Sequence, residues 1–143
     1  MKSTLKSLKM ATTAVHGENK KHHHNAINTP IYYSSTFEFD NFENLEQVFN
    51  REKEGFIYTR WSNPTRQELE IKMALLEQGE AALAFGSGMG AISATLLTNL
   101  KHGDHIIFDN VIYGCTFSLI TKFLVKYGIT YSAIDLTNLK SIN

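Results

Sequence analysis

The sequence predicts an α/β fold built on a mostly parallel sheet, and three observations carry that expectation. From Ala81 onward, short apolar runs alternate with stretches of helical period, the pattern of βαβ units. One apolar run leads through Gly86-Ser87-Gly88-Met89-Gly90 directly into a helical stretch, a strand-to-helix turn common in such folds. Hydrophobic residues make up 43% of the 143, enough for the core of a compact domain.

The elements follow in chain order. Met1 to about Thr36 is polar and lacks sustained periodicity, and the Asn28-Thr29-Pro30 break pushes the backbone toward extended structure, so this part reads as an arm. Ile31 to Phe39, rich in tyrosine, phenylalanine and hydroxyl residues, suits an extended segment lying against another surface. Asp40 or Asn41 is placed to cap a short helix whose apolar face is Phe42, Leu45, Val48 and Phe49, with a stop near Gly55. After Asn63-Pro64, the spacing of Leu69, Met73 and Leu76 predicts a second helix, stopped by Gln78-Gly79. Ala81 to Phe85 is then read as a first strand and Ala91 to Leu100 as a helix closed by His102-Gly103. His105 to Phe108 follows as a buried strand, Cys115 to Tyr127 as a helix ended by Gly128, and Ile129 to Ile134 as a third strand. Leu136 to Asn143 looks like the start of another helix. Three parallel strands leave edges and faces uncovered, so the domain is expected to be incomplete. The organisation expected is an arm over residues 1–60 and the first part of an α/β domain over residues 61–143.

Charge and cysteine content narrow the partners. Fourteen lysine and arginine residues balance fourteen aspartate and glutamate residues, which favours neither nucleic acid nor a basic partner and points to a small molecule or another copy of the chain. The single cysteine, Cys115, excludes an intrachain disulfide and suits a reducing cytoplasm. No stretch approaches the roughly 20 apolar residues that span a bilayer, and the lysine-bearing start is not followed by a signal-peptide core. No membrane partner is expected. The consecutive histidines His22, His23 and His24 lie in a polar arm with no cysteine or acidic set beside them, so no metal site is expected.

The glycine turn carries the most chemistry. A turn that opens a helix offers unpaired backbone N–H groups and the positive end of a helix dipole to an anion, and phosphate is the natural ligand. Glycines let phosphate oxygens approach the backbone, and Ser87 can add a hydroxyl donor. A nucleotide P-loop is a poor match, because Ala91-Ile92 stand where lysine and a hydroxyl residue belong. A dinucleotide site is a closer rival: Gly86-x-Gly88-x-x-Ala91 fits the looser Rossmann fingerprint, and Asp109 ends the next strand where a ribose-binding acid belongs. The turn alone leaves this rival, and a plain tight connection, both open.

The flanking motifs point elsewhere. YTRWSNPT (Tyr58 to Thr65) resembles the tyrosine-x-arginine and asparagine-proline-threonine run of the Cys/Met-metabolism family of pyridoxal-phosphate enzymes. That group contains the cystathionine synthases and lyases and methionine gamma-lyase. TTAVHGE, NTPIYYSSTFEF, LEQGEAALAFGSGMGAI and YGCTF (Tyr113 to Phe117) are similar to the same family, in its order and spacing, from about Thr12 onward. The resemblance implies a fold type I transferase domain with pyridoxal 5'-phosphate as cofactor. It implies that the amides of Gly88 and Met89, with Ser87, bind the cofactor phosphate, and that Tyr58 and Arg60 reach the phosphate of the neighbouring subunit in a dimer-based tetramer. It places Tyr113 over the pyridine ring in acid-base or leaving-group chemistry, where a nearby cation would lower the phenol's pKa.

Cys115 within YGCTF is similar to the methionine gamma-lyase branch, where this cysteine lies close to a sulfur-containing amino-acid substrate; several relatives carry glycine there. The cystathionine gamma-synthase, cystathionine gamma-lyase and O-acetylhomoserine sulfhydrylase branches are the alternatives. In the family the cofactor-bearing lysine lies in a serine-x-threonine-lysine context and an aspartate faces the pyridine nitrogen. Lys122, Lys126 and Lys140 lack that context, so both groups are expected beyond Asn143. The expectation is therefore an amino-terminal portion of a carbon–sulfur lyase, inert alone, or a non-catalytic module that associates with a complete relative.

Overall fold

A computed structural model describes residues 9–17 and 22–138 and divides the chain into two compact units, Met1–Ala84 and Phe85–Asn143. In the first unit, α1 (Met10–His16) packs on α3 (Pro64–Leu76), with Thr13 buried between them. This helix corrects the reading of the whole arm as non-periodic. Thr13 Oγ1 bonds the Lys9 carbonyl one turn back, so a hydroxyl residue sits inside a helix that an apolar-period search passes over. The Met1–Leu8 part of the arm lies outside the described residues.

The segment after Pro30 forms no helix or strand, and Thr36 makes an isolated antiparallel bridge to Tyr58. Asn41 caps α2 (Phe42–Phe49) by accepting the Asn44 amide at 2.9 Å. The helix ends at Phe49, well before Gly55, and Arg51 turns the chain with φ 63°.

Helix α3 starts with Asn63 as its cap and Pro64 in its first turn. Its buried residues are Glu68 and Ala74, whereas Leu69 and Met73 of the predicted apolar face stay exposed. The apolar period identified the helix but not the side covered within this unit.

In the second unit, α4 (Gly88–Asn99) leads to β1 (His105–Asp109), then α5 (Gly114–Ser118), which continues as a π turn (Leu119–Phe123) and a 3-10 turn (Leu124–Tyr127), and finally β2 (Thr130–Ile134). The strands pair in parallel, in register from His105 opposite Thr130 to Asp109 opposite Ile134. Phe108, Ile120, Leu124 and Ile129 form the core, with Leu96, Leu100, Ile106 and Ile112 against it. One face of the sheet is thus covered by the α5 segment, while Ile107 on the other face is 61% exposed. The strand expected over Ala81–Phe85 is not formed: the segment has no strand assignment, and Leu83 is 76% exposed. A strand exists through its ladder partner, and among the described residues none pairs with it. The helix expected from Leu136 begins only as a turn around Leu136-Thr137, and residues 139–143 lie outside the described residues.

Gly128 ends the α5 segment in the left-handed region at φ 77°, with the His102 ring lying where a Cβ would project. Gly128→Ala is expected to destabilise the chain by about 1–2 kcal/mol from the backbone conformation alone. Adding His102→Ala should recover only the steric part, and urea unfolding of the single and double variants checks both.

Candidate functional site

The glycine turn owes its shape to Ser87. Its backbone is extended and its Oγ accepts the Gly90 amide at 3.0 Å, while its carbonyl accepts the Ala91 amide at 3.1 Å. Of the four amides at the start of α4, those of Gly88 and Met89 therefore remain, with no partner among the described residues. The Ser87 hydroxyl keeps its own proton for a ligand while its oxygen caps the helix.

The glycines themselves are not explained from within the chain. A Cβ at Gly86 or Gly88 would meet nothing within 4 Å, and neither residue has positive φ. Neither packing nor conformation among the described residues demands glycine there, and the open space leaves the backbone approachable from outside.

The Tyr113–Cys115 segment stands next to this turn. Thr116 Oγ1 donates to Met89 Sδ at 3.5 Å, tying the first turn of α5 to the first turn of α4. Tyr113 precedes α5 and is 66% exposed, and Cys115 is exposed one turn into the helix. A hydrogen bond with Cys115, followed by that group's charge, pushes the Tyr113 phenol above its ordinary pKa. The neighbour that shifts it is a thiol, and no cation contributes among the described residues.

Asp109, the candidate ribose-binding acid, has a structural role within the chain. Its Oδ1 accepts the Val111 amide at 2.7 Å and its Oδ2 accepts the Leu136 amide at 3.1 Å. The carboxylate thus ties together the ends of β1 and β2, with one lone-pair site of each oxygen engaged. At the end of β2, Asp135 accepts from the Thr137 hydroxyl at 2.6 Å and from its amide at 2.9 Å, which holds the Asp135 carboxyl below the usual range.

Tyr58 and Arg60 lie in the first unit. The Arg60 guanidinium sits over the Tyr58 ring, 5.0 Å from its centroid, so positive charge and phenol form one exposed patch. Asn63 holds the base of their loop. It is 6% exposed, its Nδ2 donates to the Tyr32 carbonyl and to Thr59 Oγ1, both at 3.0 Å, and its Oδ1 accepts the Thr65 amide at 2.9 Å. Thr65 Oγ1 donates to the Pro30 carbonyl at 3.1 Å and accepts the Tyr32 amide at 2.8 Å. Sequence reasoning treated Asn63-Pro64-Thr65 only as a turn and a family signature, and missed that two of its side chains bind the arm. The signal available was an Asn cap followed by a threonine, which marks a helix start without showing a distant partner.

Comparisons with known proteins agree on one family. The family described as Cys/Met metabolism PLP-dependent enzyme matches residues 11–143. An L-methionine gamma-lyase of Fusobacterium nucleatum is 45% identical over 138 residues, covering 96% of this chain and 35% of that protein. A cystathionine gamma-synthase of Mycobacterium leprae is 38% identical over 134 residues, covering 93% of this chain and 33% of that protein. Among solved structures, cystathionine gamma-lyase from Lactobacillus plantarum, complexed with L-serine, superposes with a TM-score of 0.78 at 34% identity, covering 94% of this chain and 33% of its own. The chain spans about a third of the length of these relatives.

One prediction concerns the Tyr113–Cys115 pair. Cys115→Ala is expected to bring the Tyr113 pKa down toward the ordinary tyrosine value, read by NMR titration of ring-labelled tyrosine. The fold favours the neutral phenol, so any stabilisation from the pair is present below the ordinary tyrosine pKa and is lost as pH rises through the elevated one.

Proposed function

Because the chain belongs to the Cys/Met metabolism family of pyridoxal-phosphate-dependent enzymes, we propose that its residues form the phosphate-binding wall of a carbon–sulfur lyase of the methionine gamma-lyase kind. The observation that carries this reading is the pair of amides at Gly88 and Met89, unpartnered among the described residues, at a turn where the Cβ positions of Gly86 and Gly88 are open. That donor set, with the Ser87 hydroxyl, fits a phosphate dianion at a helix start.

When bound, pyridoxal phosphate supplies the electron sink that elimination from an amino acid needs. Gly88, Met89 and Ser87 would hold the phosphate, and Tyr113 would face the cofactor ring; its phenol is protonated at neutral pH at the ordinary tyrosine value, and the Cys115 contact shifts it further the same way. Cys115 lies beside the sulfur amino acid. Tyr58 and Arg60 deliver a hydroxyl and a forked cation to the phosphate of a neighbouring subunit, so the complete site needs a dimer, two of which make the tetramer. The whole protein converts methionine to methanethiol, 2-oxobutanoate and ammonia. Cys115 favours this over the cystathionine branches, and a single cysteine suits the reducing cytoplasm. Among the described residues no helix is long and apolar enough to cross a membrane.

The glycines allow a test that separates folding from binding. Gly88→Ala introduces a methyl group into open space at a helical position, so stability should be unchanged or slightly higher. The methyl group nevertheless stands where a phosphate oxygen approaches, and titration with pyridoxal phosphate should show affinity reduced at least about tenfold, the effect of ~1.4 kcal/mol. Equal affinity in both proteins, or saturable binding of a nicotinamide dinucleotide without a pyridoxal-phosphate response, would overturn the reading. A polypeptide of these 143 residues alone, a third of the relatives' length, is expected to release no methanethiol or 2-oxobutanoate from methionine in the presence of pyridoxal phosphate.

A further inference from the structure

Two side chains on the first turns of α3 join segments that the proposed site uses separately. Arg66 donates through Nη1 to the Arg60 carbonyl at 3.4 Å and through Nη2 to the Trp61 carbonyl, so one guanidinium holds the backbone of the loop that displays Tyr58 and Arg60. Its buried Nε has no hydrogen-bond partner and lies 3.4 Å from Glu70 Oε1, an ion-pair contact one helical turn along. The same Glu70 oxygen accepts the Ala84 amide at 3.0 Å. Ala84 lies two positions before Gly86 in the sequence, at the end of the segment Ala81–Phe85.

From these contacts we infer that Arg66 and Glu70 are a positioning pair that sets the Tyr58–Trp61 loop and the Ala84 backbone through one shared carboxylate oxygen. Their importance for ligand binding rests on the proposed phosphate role of Tyr58, Arg60 and the glycine turn. The pair itself rests only on contacts within the first unit.

The chemistry of the pair is specific. The Glu70 side chain is 16% exposed and that of Arg66 31%, so the attraction is only partly screened. Glutamine at 70 retains an oxygen for the Ala84 amide but removes the charge that faces the Arg66 Nε. Lysine at 66 retains the charge but lacks the planar fork needed to reach two successive carbonyls and a carboxylate together. Each conservative change therefore removes one link and leaves the helix in place. Neither residue touches the distal partner of the other: Glu70 does not bond the Trp61 carbonyl, and Arg66 does not bond the Ala84 amide. Coupling between the two ends is thus the distinctive consequence.

Trp61 is the sole tryptophan of the chain and reports on the loop by itself. Glu70→Gln is expected to change its emission maximum and raise its quenching by acrylamide at least about twofold, although the substitution is made on the other side of the guanidinium. Arg66→Lys is expected to speed hydrogen exchange at the Ala84 amide by about fivefold, the size of one lost net hydrogen bond. The double variant should show less than the sum of the two effects. Exchange at the α2 amides, in the same unit but bonded to neither residue, serves as the folding control.

Variants that stay folded by this control but alter only their own bonded neighbour, with Trp61 unmoved by Glu70→Gln and Ala84 unmoved by Arg66→Lys, would overturn the positioning pair. So would loss of the control signal in both conservative variants, because the pair would then be a general stabiliser. Titration with pyridoxal phosphate separates this inference from the functional reading. Affinity about fivefold weaker in both variants supports the two together, whereas cross-effects in a wild-type chain that does not bind pyridoxal phosphate uphold the pair and sink the reading on which its importance rests.

Discussion

The first unit depends on one buried carboxamide. Asn63 is among its few buried polar side chains, and its three hydrogen bonds join the arm at Tyr32, the loop at Thr59 and the start of α3 at Thr65. A buried amide left unsatisfied costs about 1–3 kcal/mol, so the three segments must arrive together for any of them to be well placed. Thr65 doubles the connection by clamping Pro30 and Tyr32. Tyr58 and Arg60 are consequently displayed from a loop whose two ends are both fixed, one by the bridge to Thr36 and the other by Asn63. A solvent-exposed arginine in a free loop would lose considerable side-chain entropy on meeting an anion; stacked on Tyr58, it has already lost part of it.

The second unit follows a different constraint, the parallel pairing of two strands among the described residues. Parallel sheets are stable when both faces are covered, and here α5 covers one. The polar groups on the other face are nevertheless satisfied. His105 lies within 2.8 Å of Thr130 Oγ1 and 2.9 Å of Ser132 Oγ, so both ring nitrogens have cross-strand partners beside the exposed Ile107. A face with its hydrogen bonds closed internally can be covered without leaving a polar group orphaned. Asp109 closes the carboxyl ends of both strands in the same manner, and the glycine turn and Tyr113 follow from elements that this small sheet anchors.

Local signals were legible in the sequence, and cooperative ones were not. A cap at Asp40 or Asn41, a helix following Asn63-Pro64, a stop at Gly128 and both paired strands each depend on a few adjacent residues, and each was readable. The Ala81–Phe85 strand failed because a ladder is a property of two segments, and β-propensity in one of them cannot create the other. Helix α1 was missed because Thr13, its buried residue, carries no apolar signature. The Cys115–Tyr127 stretch has helical period throughout, yet its middle widens into a π turn and its end tightens to 3-10, which keeps both Ile120 and Leu124 in the core. The period fixes a helix approximately, while packing decides its pitch.

For the candidate site, residue types were legible and their states were not. That Gly88 and Met89 offer free amides follows from any glycine turn that opens a helix, but that the other two amides are already occupied required the Ser87 geometry. The upward direction of the Tyr113 shift was not readable, because it comes from Cys115, two residues along the same turn, through a hydrogen bond that a sequence pattern does not contain. Asp109 had the position of a ribose contact, and its tie to the Leu136 amide was not visible. In each case the chemistry of a side chain depends on what it has already bound, and that depends on contacts spaced too far apart in sequence, such as Leu136 with Asp109, for any local pattern to contain.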